Sequence, residues 1–126
     1  MLITLKDMMG IAEKEKIAIG GFNTPNLASL EAVIGAAEEE KLPVILMFAE
    51  CHDEWVSLDL IGPAMLKAAK QATVPVCVHL DHGEHLEYLK KALELGFTGI
   101  MYDGSVLPYE ENVANTKKAV EMAKKY

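Results

Sequence analysis

Residues Val74–His85 read VPVCVHLDHGEH. The first part, VPVCVHL, is apolar with no polar alternation, which is how a strand buried on both faces of a parallel sheet is written. The second part, DHGEH, packs acids and imidazoles around a glycine. A strand-to-helix turn needs one capping group and perhaps a glycine, so the surplus of ionisable groups asks for a chemical reason.

Working outward, two other segments echo this one. EEEKLPVILMF (Glu38–Phe48) and AKQATVPVCVHL (Ala69–Leu80) both pass from the end of a helical pattern through a proline into an apolar run, and ALELGFTGIMYD (Ala92–Asp103) is a looser copy with Gly96 as the breaker. The repeating unit is a strand followed by a helix, roughly 23 to 32 residues long, the size of a βα repeat. The spacing predicts a helix capped by Thr4 and running to about Lys14, then a strand over Ile17–Asn23. Leu27, Leu30, Val33, Ile34 and Ala37 share one helical face, and PVILMF forms the second strand. Leu58–Ala72 is helical in pattern, but Pro63 predicts a short turn and a helix starting near that proline. VCVHL is the third strand, Leu86, Leu89, Ala92 and Leu93 mark a helix stopped by Gly96, TGIMYD is the fourth strand, and a last helix begins near Pro108. The fold class is therefore α/β, with four consecutive βα units preceded by a helix, either half of an eight-unit barrel or a small doubly wound sheet.

No linker or low-complexity tract divides residues 1–126, which read as one domain. A formal charge of -7 at pH 7 repels a phosphate backbone, so nucleic acid is not an expected partner. The opening MLITLKDMMG is interrupted by Lys6 and Asp7, unlike a secretory or membrane-spanning segment. Cys51 and Cys77 lack metal-ligand spacing and suit reduced thiols, in keeping with a cytoplasmic address.

With the strands drawn in this way, their carboxyl ends carry Asn23, Glu50 and His52, Asp81 and His82, and Asp103. Active sites of parallel α/β folds form at that edge. Taken singly, each group has an ordinary structural explanation: Asp81 as a helix cap, Asp103-Gly104-Ser105 as a turn, Asn23-Thr24-Pro25 as a helix start. Their collection at one edge favours function. His82 has the chemistry of a metal ligand, although a catalytic zinc needs about three protein ligands. Alternation places His79 beneath Asp81 on the same face as Cys77, which suits a supporting or packing role. His85 is expected to be solvated and without a role, and Trp55 to anchor its loop.

VHLDHG (Val78–Gly83), GFTGIMYDGSVLPYEENVANT (Gly96–Thr116) and IGGFNTPN (Ile19–Asn26) together resemble the class II, metal-dependent fructose-bisphosphate and tagatose-bisphosphate aldolases of the ketose-bisphosphate aldolase group. The likeness runs almost from end to end, and the pairing of LDHG with a downstream MYDGS is specific. It implies the N-terminal half of a TIM barrel, and an enzyme that reversibly cleaves a ketose bisphosphate to dihydroxyacetone phosphate and an aldehyde with Zn2+ or another divalent metal. Carried over by position, Asp81 becomes the acid/base at the C4 hydroxyl and His82 a zinc ligand. Asp103 becomes an alternative or second metal position, and Asn23 a substrate-binding residue. The family often has serine where Ala49 stands, and Glu50 and His52 are candidates to supply the missing substrate contact. A family barrel needs roughly 250 residues, so the remaining zinc histidines, phosphate loops and mobile-loop glutamate are expected from a C-terminal half. Two outcomes follow: a chain that acts as an aldolase once complemented and is inactive alone, or a catalytically silent half barrel that pairs with a second copy or another chain. Either predicts a homo-oligomer or a complex with a complementary C-terminal half.

Overall fold

The computed structural model describes residues 1–126. Its elements follow the βα order: α1 (Leu5–Glu15), β1 (Gly21–Asn23), α2 (Leu27–Glu40), β2 (Val44–Ala49), α3 (Leu58–Gln71), β3 (Val76–Gly83), α4 (Leu86–Leu95), β4 (Gly99–Tyr102) and α5 (Tyr109–Ala123), with a short 3-10 turn over Glu50–Glu54. The four strands form one parallel sheet in the order β1-β2-β3-β4, each strand beside its sequence neighbour, as in half of an eight-unit barrel. No helix is long and apolar enough to cross a membrane.

The core lies between the sheet and helices α2 to α5. Val44, Leu46 and Phe48 of β2 and Val76, Val78 and Leu80 of β3 point into it, meeting Leu58, Ile61, Met65 and Leu89. β3 is buried on its other face too, where Cys77 and His79 lie, and contacts from α1 reach that strand. Thr4 caps α1 by accepting the Asp7 amide, as its position predicts. Gly96 ends α4 at φ 108, where a side chain would be strained.

Two expectations need correction. α3 runs unbroken from Leu58 to Gln71 with Pro63 inside it, rather than starting near that proline. Pro63 is exposed and in the second turn, and the bond it forfeits belongs to the Asp59 carbonyl at the surface. Interior proline costs about 3 kcal/mol. Burying Leu58 and Ile61 ahead of it, in line with Met65 and Leu66, returns about 1.5–3 kcal/mol for each. Strand β1 is only Gly21–Asn23, exposed throughout, rather than the whole of Ile17–Asn23. It pairs on one side only, with β2, and Ile17–Ile19 meet no partner strand.

Carboxylates tie each unit to the next. The Thr73 amide and hydroxyl donate to Glu38 at 2.7 and 3.1 Å, and the Tyr88 hydroxyl donates to Asp53 at 2.7 Å. Asp53 also accepts the Leu58 amide at 2.9 Å, and these two bonds hold its carboxyl below the usual range.

Gly83, where β3 passes into α4, has no room for a side chain. An added Cβ would press on buried Leu89, come within 2.9 Å of a Leu80 methyl and sit 3.3 Å from the Met101 carbonyl oxygen. Gly83→Ala should therefore destabilise the fold by about 1–3 kcal/mol through overpacking, read as a lower urea midpoint at unchanged slope.

Candidate active site

The register explains how the edge is built. Leu80 pairs with Ile100 and Gly83 with Tyr102, so β3 carries one more residue than β4 across Asp81–His82. This is a bulge, and His82 takes φ 46, a left-handed conformation uncommon outside glycine. Strict alternation would send Asp81 and His82 to opposite faces. The bulge instead leaves the imidazole between two carboxylates. Its Nδ1 lies 2.6 Å from Asp103 Oδ2, and its Nε2 lies 3.8 Å from Asp81 Oδ1, beyond hydrogen-bond reach. Asp103 is fixed in turn by the Ser105 amide, which donates to its Oδ1 at 3.0 Å, while its own amide donates to the Gly83 carbonyl at 2.8 Å.

Electrostatics follow from these contacts. The hydrogen bond to Asp103, with Asp81 adding its charge, raises the His82 pKa. The same bond, helped by Ser105, holds Asp103 at about 2. Beneath Asp81, His79 is only 9% exposed and its Nδ1 has no partner; burial lowers its pKa, and the Asp81 charge partly opposes that. Gly99 makes the space, since a Cβ there would lie 2.7 Å from His79 Nδ1. Burial likewise pushes the Cys77 thiol up.

The other sequence candidates divide. Asn23 is exposed at the end of β1, in register with Met47. His52 is buried, accepts the Ala49 amide on Nδ1 at 3.2 Å, and lies between Phe48, met edge to face, and Trp55, on which it stacks, with both centroid distances 5.4 Å. It braces the turn after β2. Trp55 covers it while remaining 74% exposed. Glu50 turns toward β3: its Oε2 accepts the amides of Glu84 and His85 at 2.7 and 3.1 Å, and its Oε1 meets His85 Nδ1 at 2.6 Å. His85, expected to be solvated and without a role, is indeed 75% exposed at its side chain but is held by this contact with Glu50. No local motif signals this contact, since the amides that Glu50 accepts, Glu84 and His85, precede the first residue of α4.

A donor set for a metal is present in part. Donation of Nδ1–H to Asp103 selects the tautomer of neutral His82 whose Nε2 lone pair is free to ligate. No group of three or more His, Cys, Asp or Glu side chains in this chain is arranged to hold a metal ion. The chain therefore fits one ligand of such a site and its carboxylate support.

Comparison with known proteins decides the affiliation. The family model for class II fructose-bisphosphate aldolase matches residues 3–126. The chain belongs to this family. Among curated relatives, a probable fructose-bisphosphate aldolase of Bacillus subtilis is 43% identical over 125 residues, covering 97% of this chain and 44% of the relative. The crystal structure of the YdjI aldolase from Escherichia coli K12 superposes with a TM-score of 0.90 at 37% identity, over 96% of this chain and 47% of that one. A putative fructose-1,6-bisphosphate aldolase from Coccidioides immitis gives 0.86 at 29% identity, over 93% and 46%. This aldolase-family chain thus spans a little under half the length of the relatives it matches.

The His82–Asp103 couple has a defined pH signature in the metal-free chain. Because the folded His82 pKa is raised, the stability it contributes is complete below the ordinary value of about 6.5 and is lost as pH rises through the raised one. For Asp103 the contribution is present above the ordinary carboxylate value and is lost as pH falls through about 2. The His82 ring should titrate by NMR above its ordinary value, and Asp103→Asn should bring the midpoint down.

Proposed function

We propose that the chain supplies the proton-transferring carboxylate and one metal ligand of a class II ketose-bisphosphate aldolase, acting on fructose or tagatose bisphosphate in the cleavage direction. The observation that carries this reading is the placement of Asp81 and His82 side by side at the carboxyl end of β3, with Nδ1 of His82 taken by Asp103 and Nε2 left open beside Asp81. A divalent metal such as Zn2+, held in part by His82, would supply polarisation of the substrate ketone. In this reading Asp81 takes the C4 hydroxyl proton as the carbon-carbon bond breaks and returns it on condensation. Asp103 holds the imidazole in the ligating tautomer and is the second candidate for contact with metal. Asn23, at the end of the adjoining β1–β2 pair, is proposed to meet the substrate. Glu50 points to the backbone of the β3–α4 turn and His52 into the core, which favours supporting roles for both over substrate contact. Both cysteines are free, which suits a cytoplasmic working location.

A second reading is a catalytically silent half barrel that associates with a second copy or with a complementary C-terminal half. The exposure of all of β1, with Phe22 at 51%, favours association under either reading, because unpaired strand edges and apolar side chains recruit partners. Sedimentation equilibrium over a dilution series should show an assembly larger than a monomer at micromolar concentration; a monomer with fast-exchanging β1 and β4 amides would contradict it.

The enzymatic reading is tested by zinc titration and aldol cleavage assays, on the chain alone and on a barrel completed with the C-terminal segment of a relative. The chain alone should bind zinc weakly and turn over no bisphosphate. In the completed barrel, Asp81→Ala should lower turnover on the order of 10²-fold or more with metal retained, while His82→Ala should lose both. Unchanged activity per folded Asp81→Ala molecule would reduce Asp81 to a structural role.

A further inference from the structure

We propose that Glu50 is a positioning residue that locks the left-handed backbone of His82, an inference that deepens the functional reading above by naming what holds its metal ligand in place. A non-glycine residue at positive φ is disfavoured and persists only where its surroundings over-determine it. His82, at φ 46, is such a residue, and it is also the extra residue of a bulge, where ladder pairing is locally lost. Something on each side has to hold the chain.

On the β4 side the restraint is Asp103, through the imidazole and through its amide on the Gly83 carbonyl. On the opposite side β2 contributes no ladder bond to the segment after Asp81, since its register with β3 ends at the Ala49–Asp81 pair. Glu50 is the first residue after β2, opening the 3-10 turn. Its carboxylate continues the pairing by other means: one oxygen accepts two successive amides, Glu84 and His85, and the second meets the His85 ring. The four residues Asp81–Gly83 and Glu84 are therefore fastened at both ends, by Ala49–Asp81 pairing before the bulge and by Glu50 after it. The Glu50 side chain is only 17% exposed, so these bonds compete with little water. Glu50 does for the outer end of β3 what a further strand residue would do, at a place where the strand can no longer pair.

The prediction separates this role from a purely local hold on the turn before α4. In Glu50→Ala, amide exchange at Glu84 and His85 should rise roughly tenfold or more. In addition, His82 should lose the strong intraresidue amide–Hα NOE that marks positive φ, and 15N spectra of its ring should lose the dominance of the Nδ1–H tautomer. Glu50→Gln can keep an oxygen on both amides and should restore the His82 signals. His85→Ala removes only the ring contact and should leave them in place. Should Glu50→Ala fail to fold, Glu50→Asp, one methylene too short to reach both amides, carries the same expectation. Faster exchange at Glu84 and His85 with unchanged His82 NOE and tautomer would overturn the proposal and confine Glu50 to the turn before α4. These readouts use the metal-free chain and no turnover, so they stand or fall separately from the aldolase reading.

Discussion

The constraint on which the structure turns is that β3 must be covered on both faces. Residues Val76–Leu80 are all buried, paired by β2 on one edge and β4 on the other, with α3 and α4 against one face and α1 reaching the strand as well. Only an apolar, unalternating sequence tolerates such burial, and only a parallel sheet with covering helices provides it. Once that strand is placed, the polar residues that follow it must emerge at the carboxyl edge, where neighbouring loops converge.

The emergence is not a simple continuation of the strand. Strict alternation would part the polar side chains of Asp81 and His82, sending one to each face of the sheet. The bulge avoids that separation by adding one residue, at the expense of an unfavourable φ at His82. The irregular residue is held by a neighbouring side chain, Asp103, through its ring.

Much of this was legible in the sequence. The repeat of proline-led apolar runs gives β2 and β3, the stripe of Leu86, Leu89, Ala92 and Leu93 gives α4, and the gathering of Asp81, His82 and Asp103 at one edge follows from strand placement alone. The failures have distinct physical causes. Pro63 predicted a break because helix rules are local, while the compensation came from tertiary burial of the turn before it. The β1 pattern looked long because apolar content alone does not reveal whether a partner strand exists to pair with it. The bulge left no mark in composition, since it depends on the relative lengths of two strands. Glu50 and His85 meet across a separation that no local motif encodes.

The three carboxylate ties share a common offset. Glu38 reaches Thr73, Glu50 reaches His85 and Asp53 reaches Tyr88, each 35 residues further along. The barrel segment therefore behaves like a linear array in which each unit is bonded to its immediate successor, as in solenoids. In such an array cooperativity travels step by step, and the order of a unit is set by its flanking neighbours rather than by closure of a ring. A chain wired in this way can assemble sequentially as it emerges, with each new strand docking on a template already formed, and disturbance of one tie should stay local to the two units it joins.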